Sequence, residues 1–116
     1  MRIECTVHDD VTVLHLTGEL DVSTAPALQK RVKDIIERGE RKLIFDFSDL
    51  AHITSSGLSV LAFCVQMLTP KKGLVAIAGA GGLVKEVLDV WAGKKPAFVP
   101  SYPTVEEAMK RFAEES

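Results

Sequence analysis

Leu43-Ile44-Phe45-Asp46-Phe47-Ser48, with Ile53-Thr54-Ser55-Ser56-Gly57-Leu58 close behind it, is the stretch that decides the fold. The run from Lys42 to Phe47 is short and apolar, the length of a strand buried on both faces. Beyond it the apolar spacing changes: Leu58, Leu61, Val65 and Leu68 form one helical stripe that starts close to Ser56 and ends before Pro70. A buried strand that hands over to an amphipathic helix is the repeating unit of an α/β domain.

The same alternation continues on both sides. Upstream, Ile3 to His8 and Val11 to Gly18 are apolar, β-branched runs separated by the turn-prone Asp9-Asp10, which predicts a hairpin. Glu19 to Pro26 then supplies a small hydroxyl cap with proline just inside a helix, whose apolar positions are Leu28, Val32, Ile35 and Ile36 and which stops near Gly39. Downstream, Leu74 to Ala78 reads as a strand and Gly79-Ala80-Gly81-Gly82 as a break. Leu83, Val84, Val87, Leu88 and Trp91 make a third stripe. Pro96 to Val99 has room only for a short edge strand. Thr104 caps a last helix with Val105, Ala108, Met109 and Phe112 on its apolar face.

The expectation is therefore one α/β domain over residues 1–116: an N-terminal hairpin, alternating helices and strands, a largely parallel mixed sheet, about four helices and right-handed crossovers. Sites in such sheets gather in loops at the carboxyl ends of strands, here Glu19–Ser23, Ser48–Gly57 and Gly79–Gly82.

Composition narrows the function classes. The chain has 116 residues, 47% apolar and 26% charged, with a net charge of −2, so no positive excess draws in nucleic acid or an anionic bilayer. Its most apolar stretch, Gly73 to Val84, is short and carries four glycines, which excludes a spanning helix. Met1-Arg2-Ile3-Glu4 has an acid where a signal peptide would have its apolar run. Cys5 and Cys64 match neither a metal-ligand spacing nor a disulfide framework, which favours a reducing, cytoplasmic setting.

Little catalytic chemistry is present. His8, His15 and His52 are scattered over two strands and a loop, without the spacing of a metal site. A relay from Ser56 to His52 would lack an orienting group and an oxyanion pocket. Asp46 and Asp49 read as a strand-end residue and a turn former. The glycines at 79–82 fail the dinucleotide fingerprint, because its last glycine falls at Val84, and they read as a tight turn. No catalytic set, metal or cofactor is implied.

Thr54-Ser55-Ser56 remains. Hydroxyls before a helix usually cap it, but three in succession exceed what capping requires. Serine at a helix N-terminus is also a favourable place for a phosphate, since unpaired N–H groups and the helix dipole stabilise an anion there. A phosphate stabilised in this way would leave the fold intact and act on a partner, by adding charge to a surface that docking must desolvate. These properties describe a switchable binding module.

Leu14-His15-Leu16-Thr17-Gly18-Glu19-Leu20-Asp21-Val22, Leu43 to Ser48, Ile53 to Leu58 and a closing Tyr102-Pro103-Thr104-Val105-Glu106-Glu107-Ala108, in that order, resemble the STAS domain of bacterial anti-sigma factor antagonists over essentially the whole chain. The resemblance implies a partner-switching protein that binds an anti-sigma factor serine kinase when unphosphorylated, is released on phosphorylation and is reset by a serine phosphatase. It carries the phosphorylated serine to Ser56, with Ser55 second, and partner contact to Asp21, Thr54, Ser55, Ser56, Gly57 and Leu58. One position departs from the pattern. The family usually has aspartate where this chain has Thr54, which opens an alternative: a STAS subunit that binds without switching, such as those attached to lipid-transport ATPases.

Overall fold

A computed structural model describes residues 1–92 and 99–115. Strand β1 (Arg2–His8) turns at Asp9, whose φ of 58° supplies the left-handed step of the hairpin, into the antiparallel β2 (Val11–Leu20). Then follow α1 (Ala25–Glu37), β3 (Lys42–Ile53), α2 (Ser55–Leu68), β4 (Leu74–Ala78), α3 (Gly82–Ala92), β5 (Ser101–Tyr102) and α4 (Val105–Glu115). The sheet runs β1-β2-β3-β4-β5 in space, with every pair parallel except the first. Among the described residues this is the mixed α/β architecture with four α-helices that the alternating pattern predicts.

Alternation along the strands sends side chains to two cores. Leu14, Leu16, Leu43 and Phe45 face α1, α2 and α3, which bring Leu28, Val32, Leu61, Cys64, Val84 and Leu88 to them. Val11, Val13, Ile44 and Ala76 face the other way and are covered by Ala108 and Phe112 of α4. β3 is thus buried on both sides, as its apolar run requires.

The structure corrects the sequence reading at several points. Residues 48–53 are strand rather than loop: β3 continues through them, pairing Thr17 with Asp49 and Leu20 with Ile53. It does so with two irregularities, each placing an extra residue on β3, which is how a polar, turn-prone segment is accommodated in a ladder. On α2 the buried positions are Gly57, Val60, Leu61, Cys64 and Leu68, while Leu58 and Val65 are only half-buried. α2 is the middle helix, with Val60 beside α1 and Leu58 beside Val87 and Trp91 of α3, so its apolar surface is wider than one stripe. Leu83 is 63% exposed instead of facing the core. The edge strand is Ser101–Tyr102, and Pro96 to Phe98 of the expected one lie outside the described residues.

Candidate functional site

The carboxyl ends of β2 and β3 are tied together. Leu20 and Ile53 are register partners, and the Thr54 N–H donates to the Leu20 carbonyl at 3.0 Å. The loop after β2 and the start of α2 therefore sit side by side, which brings Asp21 next to the segment Thr54–Leu58.

Asp21 organises its own loop. Its Oδ1 accepts from the Ser23 N–H at 3.0 Å, the Ser23 hydroxyl at 2.7 Å and the Thr24 N–H at 3.2 Å, while its N–H donates to Thr24 Oγ1 at 2.9 Å. The donated hydrogen bonds, led by that from the Ser23 side chain, hold its carboxyl below the usual carboxylate range. The expected hydroxyl cap of α1 is replaced by this arrangement, since Thr24 at the N-cap makes no side-chain capping bond.

α2 begins with Thr54 at the N-cap, in extended backbone, followed by Ser55 and Ser56 as the first two helical residues. No side-chain capping bond forms here either. Thr54 Oγ1 is buried and has no hydrogen-bond partner. Ser55 is exposed, and its carbonyl accepts the Ser59 hydroxyl at 3.0 Å. Ser56 is half-buried, and its hydroxyl enters no hydrogen bond within the described residues. Gly57 is buried, and a Cβ built on it would stand 2.7 Å from Leu20 Cγ and 2.8 Å from Ile53 Cγ1. Its role is thus close approach: it lets α2 start directly against the ends of β2 and β3.

A groove of about 480 Å³ runs between α1 and α2, with Ser56 and Val60 on one wall and Val22, Pro26, Gln29, Lys30 and Lys33 among the residues opposite. Sequence reading did not single out the α1 positions. Their only signal was the 3–4 spacing of Pro26, Gln29, Lys30 and Lys33, which belongs to a solvated helix face as readily as to a groove.

The remaining candidates separate from this site. His52 is an exposed strand residue that shares no hydrogen bond with Ser56, so the two form no relay. His15, read as an imidazole without a role, stands between the Asp46 and Asp49 carboxylates. Both acids belong to β3 itself, not to a strand end and a turn. Gly79 and Gly82 have φ of +74° and +56° and turn the chain from β4 into α3. Among the described residues no group of three or more His, Cys, Asp or Glu is arranged to hold a metal ion. Burial pushes the Cys64 thiol up to about 12, which makes it inert at neutral pH. No helix among the described residues is long and apolar enough to cross a membrane.

Comparison with known proteins agrees with the fold. The family model described as "STAS domain" matches residues 2–108. A relative named anti-sigma F factor antagonist, from Paenibacillus polymyxa, is 26% identical over 91 residues, covering 78% of each chain. The crystal structure of a putative anti-sigma factor antagonist from Thermotoga maritima superposes with a TM-score of 0.86 at 26% identity, covering 94% of this chain and 92% of that one. SpoIIAA of Bacillus, solved in its phosphorylated form, shares the fold with a TM-score of 0.72 at 22% identity, covering 96% of this chain and 99% of that one.

Proposed function

The chain belongs to the STAS domain family, and on that premise we propose that residues 1–116 act as one partner-switching domain, an anti-sigma factor antagonist without enzymatic activity of its own. In the unphosphorylated state it binds a cytoplasmic anti-sigma factor that is also a serine kinase, and phosphorylation of Ser56 releases it. A serine phosphatase restores the binding form. Contact is made around Asp21 and along Thr54, Ser55, Ser56 and Leu58, with Gly57 setting their position.

One observation carries this reading: the Ser56 hydroxyl sits at the second position of α2, lines an open groove and is committed to no hydrogen bond. In the switching step Oγ gains the γ-phosphoryl group of ATP, ADP leaves and the hydroxyl proton is lost. The product carries close to two negative charges where the helix start supplies unpaired N–H groups, so the fold tolerates it while a docked partner does not. Ser55, the second choice of acceptor, is more exposed but lies outside the groove. The test is incubation with the cognate kinase and ATP followed by mass spectrometry. Phosphate on Ser56 is the expected result, and a chain recovered with none on Ser55 or Ser56 rejects the switch.

A second reading is favoured by Thr54, which puts a buried, unbonded hydroxyl where the family resemblance places an aspartate. Without that acid beside Ser56, the domain would serve as a permanently bound subunit of a lipid-transport ATPase or another complex. Purification from the native host discriminates: a membrane ATPase co-purifies under this reading, a soluble kinase under the first.

A further inference from the structure

We propose that Lys30 and Lys33 of α1, with the Gln29 amide beside them, form a receiver that draws the phosphoryl group of phosphorylated Ser56 into the α1–α2 groove. The inference rests on the reading of Ser56 as the phosphorylated serine and adds where the phosphate goes. Pro26, Gln29, Lys30 and Lys33 follow one another at helical spacing, so they share the α1 face that lines the groove opposite Ser56 and Val60. Two of the residues lining the groove are cations and none is an acid, in a chain whose net charge is −2.

Neither lysine is firmly held elsewhere. Lys30 reaches Asp34 at 3.3 Å, but their side chains are 79% and 51% exposed, and such a surface pair is worth little. Lys33 has no carboxylate partner among the described residues. The nearby acid, Asp21, already uses Oδ1 to accept the bonds of its own loop. An ammonium on a flexible stem can swing to a dianion, and a groove that excludes part of the solvent strengthens the attraction. Capture of the phosphate would fill and neutralise the groove, removing from the partner both the space and the charge it meets in the unphosphorylated domain.

The test uses the full chain with phosphoserine incorporated at position 56 during translation, so no kinase is required. A phosphorus NMR titration reads the second ionisation of the phosphate. It is expected below its ordinary value of about 6, and the double variant Lys30→Gln/Lys33→Gln is expected to raise it by about half a unit or more. Lys110→Gln, on α4 across the sheet, is expected to leave it unchanged. A double variant that titrates like its parent overturns the receiver, as does an equal shift from Lys110→Gln, which would signify only net charge. Circular dichroism confirms that each variant is folded, which these exposed helix positions permit. Failure of the kinase to label either Ser55 or Ser56 would reject the proposed function and leave this titration unaffected, so the two outcomes are separable.

Discussion

His15 Nδ1 lies 2.9 Å from Asp46 Oδ2, across the irregularity in β3, and the other side of the same ring is also engaged, with Nε2 2.9 Å from Asp49 Oδ2. The register advances from His15–Asp46 to Thr17–Asp49, two residues on β2 against three on β3, so the imidazole staples the ends of a bulge. Both contacts are donor-to-carboxylate bonds only when the ring carries two protons. The hydrogen bond to Asp46 is the chief reason that the His15 pKa is raised above 6.5. Burial pushes the Asp46 carboxyl up, but the bonds from His15 and Ser48 outweigh it and leave the group below 3.8.

A pH window follows. The raised His15 pKa means that its contribution is complete below pH 6.5 and is lost as pH rises through the higher folded value. The lowered Asp46 pKa means that its contribution is complete above pH 3.8 and is lost as pH falls through the lower folded value. Urea denaturation of the parent and of His15→Gln is expected to show a stability difference that is largest between those limits and shrinks as pH climbs from 6 to 8.5. A difference that stays flat over that range contradicts the staple.

Gly57→Ala sets helix propensity against space. Alanine in a helix gains about 0.5–1 kcal/mol over glycine, but the added Cβ meets Leu20 Cγ at 2.7 Å and Ile53 Cγ1 at 2.8 Å, and both side chains are fully buried. Overpacking of this kind costs about 1–3 kcal/mol, so the steric term wins and the variant is expected to be less stable. An unchanged or raised denaturation midpoint would show that α2 can lift away from the strand ends at no cost.

Thr54→Val has the opposite expectation. The Thr54 oxygen is buried without a partner, and it contributes no capping bond. Replacing it with a methyl group of similar shape removes an unpaired polar atom, and the variant is expected to be equal in stability or more stable by about 1 kcal/mol. A clear loss would mean that the hydroxyl is satisfied in solution, for example by an ordered water.

How far the site could be read from sequence depends on the kind of residue. The α2 start was legible because two independent signals coincide there: a change of apolar period at Leu58 and a cluster of helix-starting hydroxyls. The extent of β3 was not. Ser48, Asp49 and His52 carry turn and solvent signals, and only the pairing with β2 and burial of Leu50 and Ile53 hold them in a strand. The His15 staple was hidden for the same reason, since its partners are 31 and 34 residues away and meet it only through a parallel register. The groove lysines look like any exposed helix face until α2 is placed beside them.

Ser56→Asp tests whether the helix start accepts charge independently of partner binding. An aspartate at the second helical position faces unpaired N–H groups and the positive end of the dipole, a placement that stabilises by about 0.3–1 kcal/mol. Against this, Ser56 is half-buried, and a carboxylate loses some hydration in the groove. These effects are of similar size, so the melting temperature should move by no more than a few degrees. Kinase binding, measured by calorimetry on the unphosphorylated form, should weaken at least tenfold, because the charge falls where docking removes water. Ser55→Asp, outside the groove, should weaken it less. If Ser56→Asp lowers the melting temperature sharply and binds the kinase as well as the parent does, the serine belongs to the fold and the switch must lie elsewhere.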